Sequence, residues 1–211
     1  MLLVAFAKRA QLVAVIAIAL SFIATDSYAQ DPDPEQSFWK FRTRAVISGN
    51  SHDSDPEGFV AYSGLALEAS VTRNFAGVFA AEVSLRTESR EIDQEVSSGP
   101  AIRLGSIEVL PLTVTFQYRP TLSGNLHPYL GIGAAVSFTW EKSGALDSLD
   151  VGTYLGPALQ IGLDHDLGSS AVLNLDLRWN AFTADIEDGG DHFAEIQIDP
   201  ISLGIGVGFR F

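Results

Sequence analysis

The sequence predicts an all-β fold, an eight-stranded antiparallel transmembrane β-barrel, and three observations carry that expectation. Apolar and polar residues alternate with a period of two through eight segments of about ten residues or more. The face opposite the apolar one holds charges interspersed with glycines, a poor composition for a wet sheet surface. The connections alternate between short and long, and the long ones are acidic.

Residues 1–29 read as a secretory signal peptide. Lys8 and Arg9 precede an apolar run from Leu12 to Ala24, and Ser27-Tyr28-Ala29 supplies a small-residue cleavage site. The run is about 13 residues, short of the roughly 20 that a spanning helix needs. Cleavage after Ala29 leaves 11 basic and 25 acidic side chains, a charge of −14. Residues 30–37 (QDPDPEQS) read as a polar periplasmic lead-in, and 38–211 as the barrel.

The first strand sets Trp39, Phe41, Thr43, Ala45 and Ile47 against Lys40, Arg42, Arg44, Val46 and Ser48. NSHDSDPEG (50–58) is a turn by composition. Strand two spans about 59–72, strand three 77–86, strand four 107–119 and strand five 128–140. Strand six spans about 153–164, strand seven 171–183 and strand eight 197–211. RNFAG, PTLSGNLH and HDLGSS are the short turns, which places both ends of the barrel in the periplasm. Segments 50–58, 87–106, 141–152 and 184–196 are then external loops, with 15 acidic and 3 basic residues.

A secreted β-sandwich is the competing fold, and the second face decides against it. Gly131, Gly133, Gly162, Gly204, Gly206 and Gly208 suit a crowded barrel interior, where small residues make room for long ones. Leu203, Ile205, Val207, Phe209 and Phe211 give a last strand with the form of an assembly signal, carried by Phe209 and Phe211.

Composition narrows the chemistry. An excess of acid argues against nucleic acid, which needs clustered Lys and Arg. The lack of cysteine excludes disulfides, thiolate metal sites, Cys nucleophiles and a lipidated cysteine. His127 and His165 fall in periplasmic turns and His52 and His192 in external loops, none beside a nucleophile on a strand. No enzyme activity, cofactor or nucleotide motif is indicated. Asp185, Glu187, Asp188 and Asp191 read as a solvated loop rather than as a cation site.

Seven segments together resemble the bacterial outer membrane protein W family. They are WKFRTRAV, the stretch around Glu82, LPLTVTFQYRP, HPYLGIGAAVSFT, GPALQIGLDHDL, LNLDLRWNAFTADI and IDPISLGIGVGFRF, and they cover most of the mature chain. The resemblance implies an eight-stranded barrel with a narrow interior in the outer membrane of a Gram-negative cell. It also implies uptake of small hydrophobic molecules. The expected partners are membrane lipids, lipopolysaccharide, small hydrophobic solutes and the barrel-assembly machinery.

The strand directions set depth in the lumen. Lys40, Arg42, Glu82, Gln117, Gln160, Asp176, Arg178 and Arg210, with Asn174, fall in the lower, periplasmic half as a polar network. Val46, Ala66, Ser137, Ala158, Asn180, Ser202 and Gly204 fall in the upper half, which is expected to be small and weakly polar. Arg42, Arg178 and Arg210 are expected to pair with Glu82 and Asp176. Such a floor would block an apolar solute, so a lateral exit into the membrane is expected. Pro157 in strand six marks the candidate gap, since proline cannot donate to a ladder. The expected function is passive passage of small, mostly hydrophobic molecules. The alternative is a structural or interaction barrel that displays acidic loops without transport.

Overall fold

The structure is a computed structural model that describes residues 39–49, 53–55, 59–75, 77–94, 100–145, 150–151, 154–188, 191–198 and 201–211. The expected signal peptide, the lead-in and His52 lie outside the described residues. Thirteen strands follow in order: β1 (Trp39–Ser48), β2 (Asp53–Asp55), β3 (Phe59–Ser63), β4 (Leu65–Phe75), β5 (Phe79–Gln94), β6 (Ile102–Tyr118), β7 (Leu126–Gly144), β8 (Asp150–Val151), β9 (Tyr154–Asp166), β10 (Ala171–Asn180), β11 (Phe182–Asp188), β12 (Asp191–Ile198) and β13 (Ile201–Arg210).

Eight of them close a barrel in the order β5-β4-β1-β13-β10-β9-β7-β6, with β6 returning to β5. All pairings are antiparallel, and closure leaves no sheet edge in the membrane. The first strand meets the last from Lys40 opposite Arg210 to Ser48 opposite Ser202. Trp39 and Phe211 extend this seam by exchanging two backbone hydrogen bonds of 3.0 Å. Glycines at positive φ sit at or beside the three periplasmic turns: Gly77 (72°), Gly124 (105°) and Gly168 (139°).

Alternation divides every wall strand. On β13, Ile201, Leu203, Ile205, Val207 and Phe209 are exposed, whereas Ser202, Gly204 and Gly208 are buried. The outward apolar residues form the lipid band, and the core is the lumen. That core is polar: Lys40, Arg42, Arg44, Glu68, Glu82, Arg86, Glu88, Arg90, Asp164, Asp176 and Arg178 are all buried.

Three strands are longer than expected, because β5, β6 and β7 run through the polar stretches assigned to external loops. Backbone pairing does not depend on side-chain polarity, and Glu88 and Arg90 find partners inside the barrel. Segments 50–58 and 184–196 are not plain loops either. β2, β12, β11 and β8 form a separate four-stranded sheet at the external end. Conversely, β10 ends at Asn180 and β13 begins at Ile201, so the barrel parts of strands seven and eight are shorter than expected. His127 and His165 lie at the periplasmic ends of β7 and β9 rather than in turns.

Candidate functional site

The lumen network has two centres, each a carboxylate surrounded by cations. Glu82 on β5 accepts from Arg42 at 2.7 Å, from Arg44 at 3.1 Å and from Arg178 at 3.1 Å. It also takes hydrogen bonds from Thr72 at 3.0 Å and Gln160 at 3.1 Å. Asp164 on β9 accepts from Lys40 at 2.5 Å, Arg42 at 2.7 Å and Arg119 at 2.9 Å. Arg42 spans both centres. Buried charges are tolerated only when paired and hydrogen-bonded in this way.

Neutral groups tie the centres together. Gln160 donates to Asp176 at 2.7 Å and accepts from Gln117 at 2.9 Å. Tyr129 donates to Asp176 at 2.6 Å, and its ring lies 4.3 Å beneath the Arg119 guanidinium. Gly162 makes room for that ring: a Cβ at this position would come 2.2 Å from Cζ of Tyr129.

Seven of the eight residues expected in the network are buried in the lumen: Lys40, Arg42, Glu82, Gln117, Gln160, Asp176 and Arg178. Arg178 meets both expected carboxylates, Glu82 and, at 3.3 Å, Asp176. Arg210 is a correction. It pairs with Asp166, and both side chains are partly exposed at the periplasmic rim. As the last residue of β13 it lies opposite Lys40, below the level of Glu82.

Arg44, Glu68, Arg119, Tyr129 and Asp164 belong to the network but were not placed in it from sequence. Parity put Arg44, Glu68, Arg119 and Asp164 on the inward face; their pairing across the lumen was not readable. The upper lumen is a second correction. It contains Arg86 and Arg90, which flank Glu88 at 3.3 and 3.2 Å. Beside them Ile92, Ile107 and Val109 are buried. The inward face of the lengthened β5 carries that charge upward, so charge is not confined to the floor.

Pro157 is exposed on the lipid face of β9. Its carbonyl accepts from Ala181 N at 3.1 Å. Antiparallel partners in such a pair exchange two bonds, and proline supplies no donor for the second. Above this pair β9 runs along β7, and the chain after Ala181 enters β11, which pairs with β8, the strand just before β9, at Val151 opposite Ile186. The β9–β10 ladder therefore lapses at Pro157 and the wall resumes above it as β8 with β11. Below it on the lipid side is an apolar groove of about 410 Å³, lined mainly by Leu130, Leu159, Ile161, Leu177, Trp179 and Ile201. A second proline, Pro111 on β6, stands where the β5–β6 pairing lapses across Arg86 and Thr87. Phe209 and Phe211 stand exposed on the outer face at the periplasmic end.

A closed barrel with an outward apolar band and an ion-paired interior defines an outer-membrane β-barrel protein. The chain belongs to the OmpW family, whose model matches residues 45–211. It is 31% identical over 200 residues to the outer-membrane protein y4mB of Sinorhizobium fredii, covering 89% of this chain and 84% of that one. It is 28% identical over 116 residues to the dibenzothiophene metabolism operon protein PahQ of Pseudomonas aeruginosa, covering 53% and 55%. Its fold is similar to that of the outer membrane protein AlkL in DMPC lipid bilayers. The TM-score there is 0.66 at 23% identity, covering 87% of this chain and 94% of that one. The protein is thus a transmembrane barrel of the bacterial outer membrane.

Proposed function

We propose that the protein passes small, mostly hydrophobic molecules through the outer membrane without energy coupling, and releases them sideways into the bilayer at Pro157. The observation that carries this reading is the pairing of a plugged lumen with an interrupted wall. An apolar solute moving down the axis would have to displace the ion pairs of Glu82 and Asp164, each several kcal/mol to break, on the order of 3–5 for a buried pair. The seam at Pro157 offers a path that breaks none of them. The apolar groove beside Leu159 and Trp179 lies on the membrane side of that path. The name of PahQ, from a dibenzothiophene metabolism operon, supports an apolar aromatic solute.

The test uses vesicles whose outer leaflet is lipopolysaccharide, with naphthalene fluorescence reporting passage into the membrane. The wild-type barrel should speed naphthalene uptake over protein-free vesicles. Equal rates would sink the proposal.

One observation favours the second reading, an interaction barrel without transport. In the external sheet Asp55, Glu195 and Asp185 stand in register on three adjacent strands, and Glu187 is in register with Asp150. Acids in register at the external end suit cationic partners. They also fit the first reading, because carboxylates at the mouth repel anions and leave neutral apolar molecules unhindered.

A further inference from the structure

The lipid face below Pro157 carries the apolar groove, and register gives its course. Two neighbouring rungs of outward side chains form its sides. One runs Leu130–Ile161–Leu177 across β7, β9 and β10, the other Leu159–Trp179–Ile201 across β9, β10 and β13. Between the rungs come Gly131, Gln160 and Arg178, which belong to the inward face. Gln160 gives its amide to Asp176 and Glu82, and Arg178 its guanidinium to Glu68, Ser84 and Glu82. The floor is therefore strand backbone already paired in the ladder, and the groove offers a guest hydrocarbon. A passage between rungs runs square to the strands, which tilt by about 35–45° in outer-membrane barrels. It climbs obliquely from Leu130, the fifth residue of β7 counted from the periplasm, to Ile201, the first of β13 at the external end. From β7 to β13 it crosses three strand spacings, about 14 Å. Trp179, next to last in β10, stands at its upper end, and tryptophan marks the headgroup level of a bilayer.

We propose that this groove holds one acyl chain of an outer-leaflet lipopolysaccharide molecule, which covers the lower edge of the lapse at Pro157 until a departing solute displaces it. The displacement step rests on the passage reading above; the chain site does not. The groove opens to the bilayer, and its length is about half of a ~30 Å hydrocarbon core, the share of one leaflet. Its volume of about 410 Å³ lies within the roughly 300–1,000 Å³ of sites that hold small ligands. A polar headgroup gains nothing inside it, so the tail enters and the head stays above Trp179. The upper end is external, so the chain comes from the outer leaflet, which in this membrane is lipopolysaccharide. A chain seated between two fixed rungs keeps dispersion contacts that a fluid neighbour makes and loses. The lapse between Pro157 and Ala181 is the next rung above Leu159 and Trp179, so a solute leaving there meets the chain.

The experiment extracts the barrel from outer membranes in mild detergent and weighs it with its retained lipid by native mass spectrometry. The wild type should keep one lipopolysaccharide per barrel. Ile161→Trp, which fills the groove from an outward position, should keep about 10-fold less, the worth of roughly 55 Å² of apolar contact. Val114→Trp, outward on β6 and away from the groove, should keep as much as the wild type. Leu177→Phe serves if Ile161→Trp does not fold. Equal retention in all three barrels, a phospholipid in place of lipopolysaccharide, or a second copy of the chain in place of lipid overturns the site. Adding naphthalene should release the lipid from the wild type; retention that naphthalene leaves unmoved overturns the displacement step. The vesicle assay judges passage separately: a retained lipid lost in Ile161→Trp, with no naphthalene uptake by the wild type, leaves the chain site standing and removes the passage reading.

Discussion

At the residue scale, stability concentrates on a few carboxylates. Glu82 neutralises parts of three guanidiniums at once, and its loss would leave each of them one buried carboxylate short, with no solvent to replace it. Glu82→Ala should lower the unfolding free energy by roughly 3–5 kcal/mol, the usual cost of removing one partner of a buried pair. A urea series in detergent, followed by the heat-dependent gel mobility of folded barrels, measures it; a wild-type midpoint would contradict the pairing. Glu82→Gln, which keeps the shape and one acceptor, should lose less. Gly162 makes a separate prediction about packing. A Cβ there meets the Tyr129 ring at 2.2 Å and the Leu175 carbonyl oxygen at 2.8 Å. The ring is pinned by Asp176 and Asn174 and cannot swing away. Gly162→Val should therefore destabilise the barrel by about 1–3 kcal/mol or more through overpacking. The same substitution at Gly64, where nothing lies within 4 Å of the added carbon, should cost less by the same assay.

At the element scale, the wall weakens at two prolines, and only one of them is placed for release. Pro157 stands at the top of the β9–β10 ladder, directly above the apolar groove, so the missing donor falls at a lapse in the wall before it resumes as β8 with β11. Pro111 stands inside a seam that resumes at Glu88 opposite Val109. Pro157→Val restores a donor toward the Ala181 carbonyl and should slow naphthalene uptake several-fold with the folded gel mobility unchanged. Pro111→Val should leave uptake as it is. Unchanged uptake in a well-folded Pro157→Val barrel would remove the lateral exit. The inward residues were legible from sequence because a strand has a period of two, and parity alone puts Lys40, Arg42, Glu82 and Arg178 on one surface. Their partners were not legible. Arg42 and Asp164 are 122 residues apart, and only barrel closure and strand tilt bring them to one height. Strand ends were misjudged where charge was read as a stop, as at Arg86–Gln94, although nothing in a carboxylate prevents a ladder. The pairing of β11 with β12 had a readable sign in the sequence, Gly-Gly between two alternating runs, the composition that signals a hairpin.

At the scale of the whole molecule, charge is sorted by compartment. The lumen holds cations and carboxylates in contact, whereas the segments beyond the membrane carry most of the acid. Glu88 and Arg90 must be taken from the external tally, since both are buried in the barrel; their charges cancel and the external excess stays at 12 acidic side chains. Register sharpens the point, because Asp55, Glu195 and Asp185 are paired positions across β2, β12 and β11, and Glu187 is paired with Asp150. Like charges in register on neighbouring strands work against pairing, so the sheet keeps these acids at some cost in stability. The cost is offset if the acids select what approaches the mouth. A field of one sign lowers the local concentration of like-charged solutes and is screened over about 8–10 Å at physiological salt. The wild-type barrel should therefore take up a neutral probe such as naphthalene much faster than its carboxylate analogue, 2-naphthoate, at about 10 mM salt, where the field reaches about 30 Å. Raising the salt to about 1 M, where screening is complete within about 3 Å, should bring the external charge contribution close to zero and narrow the ratio. Asp185→Asn with Glu195→Gln should narrow it at low salt as well. A ratio that ignores both salt and these substitutions would place selection wholly inside the barrel, where a carboxylate would have to shed its water.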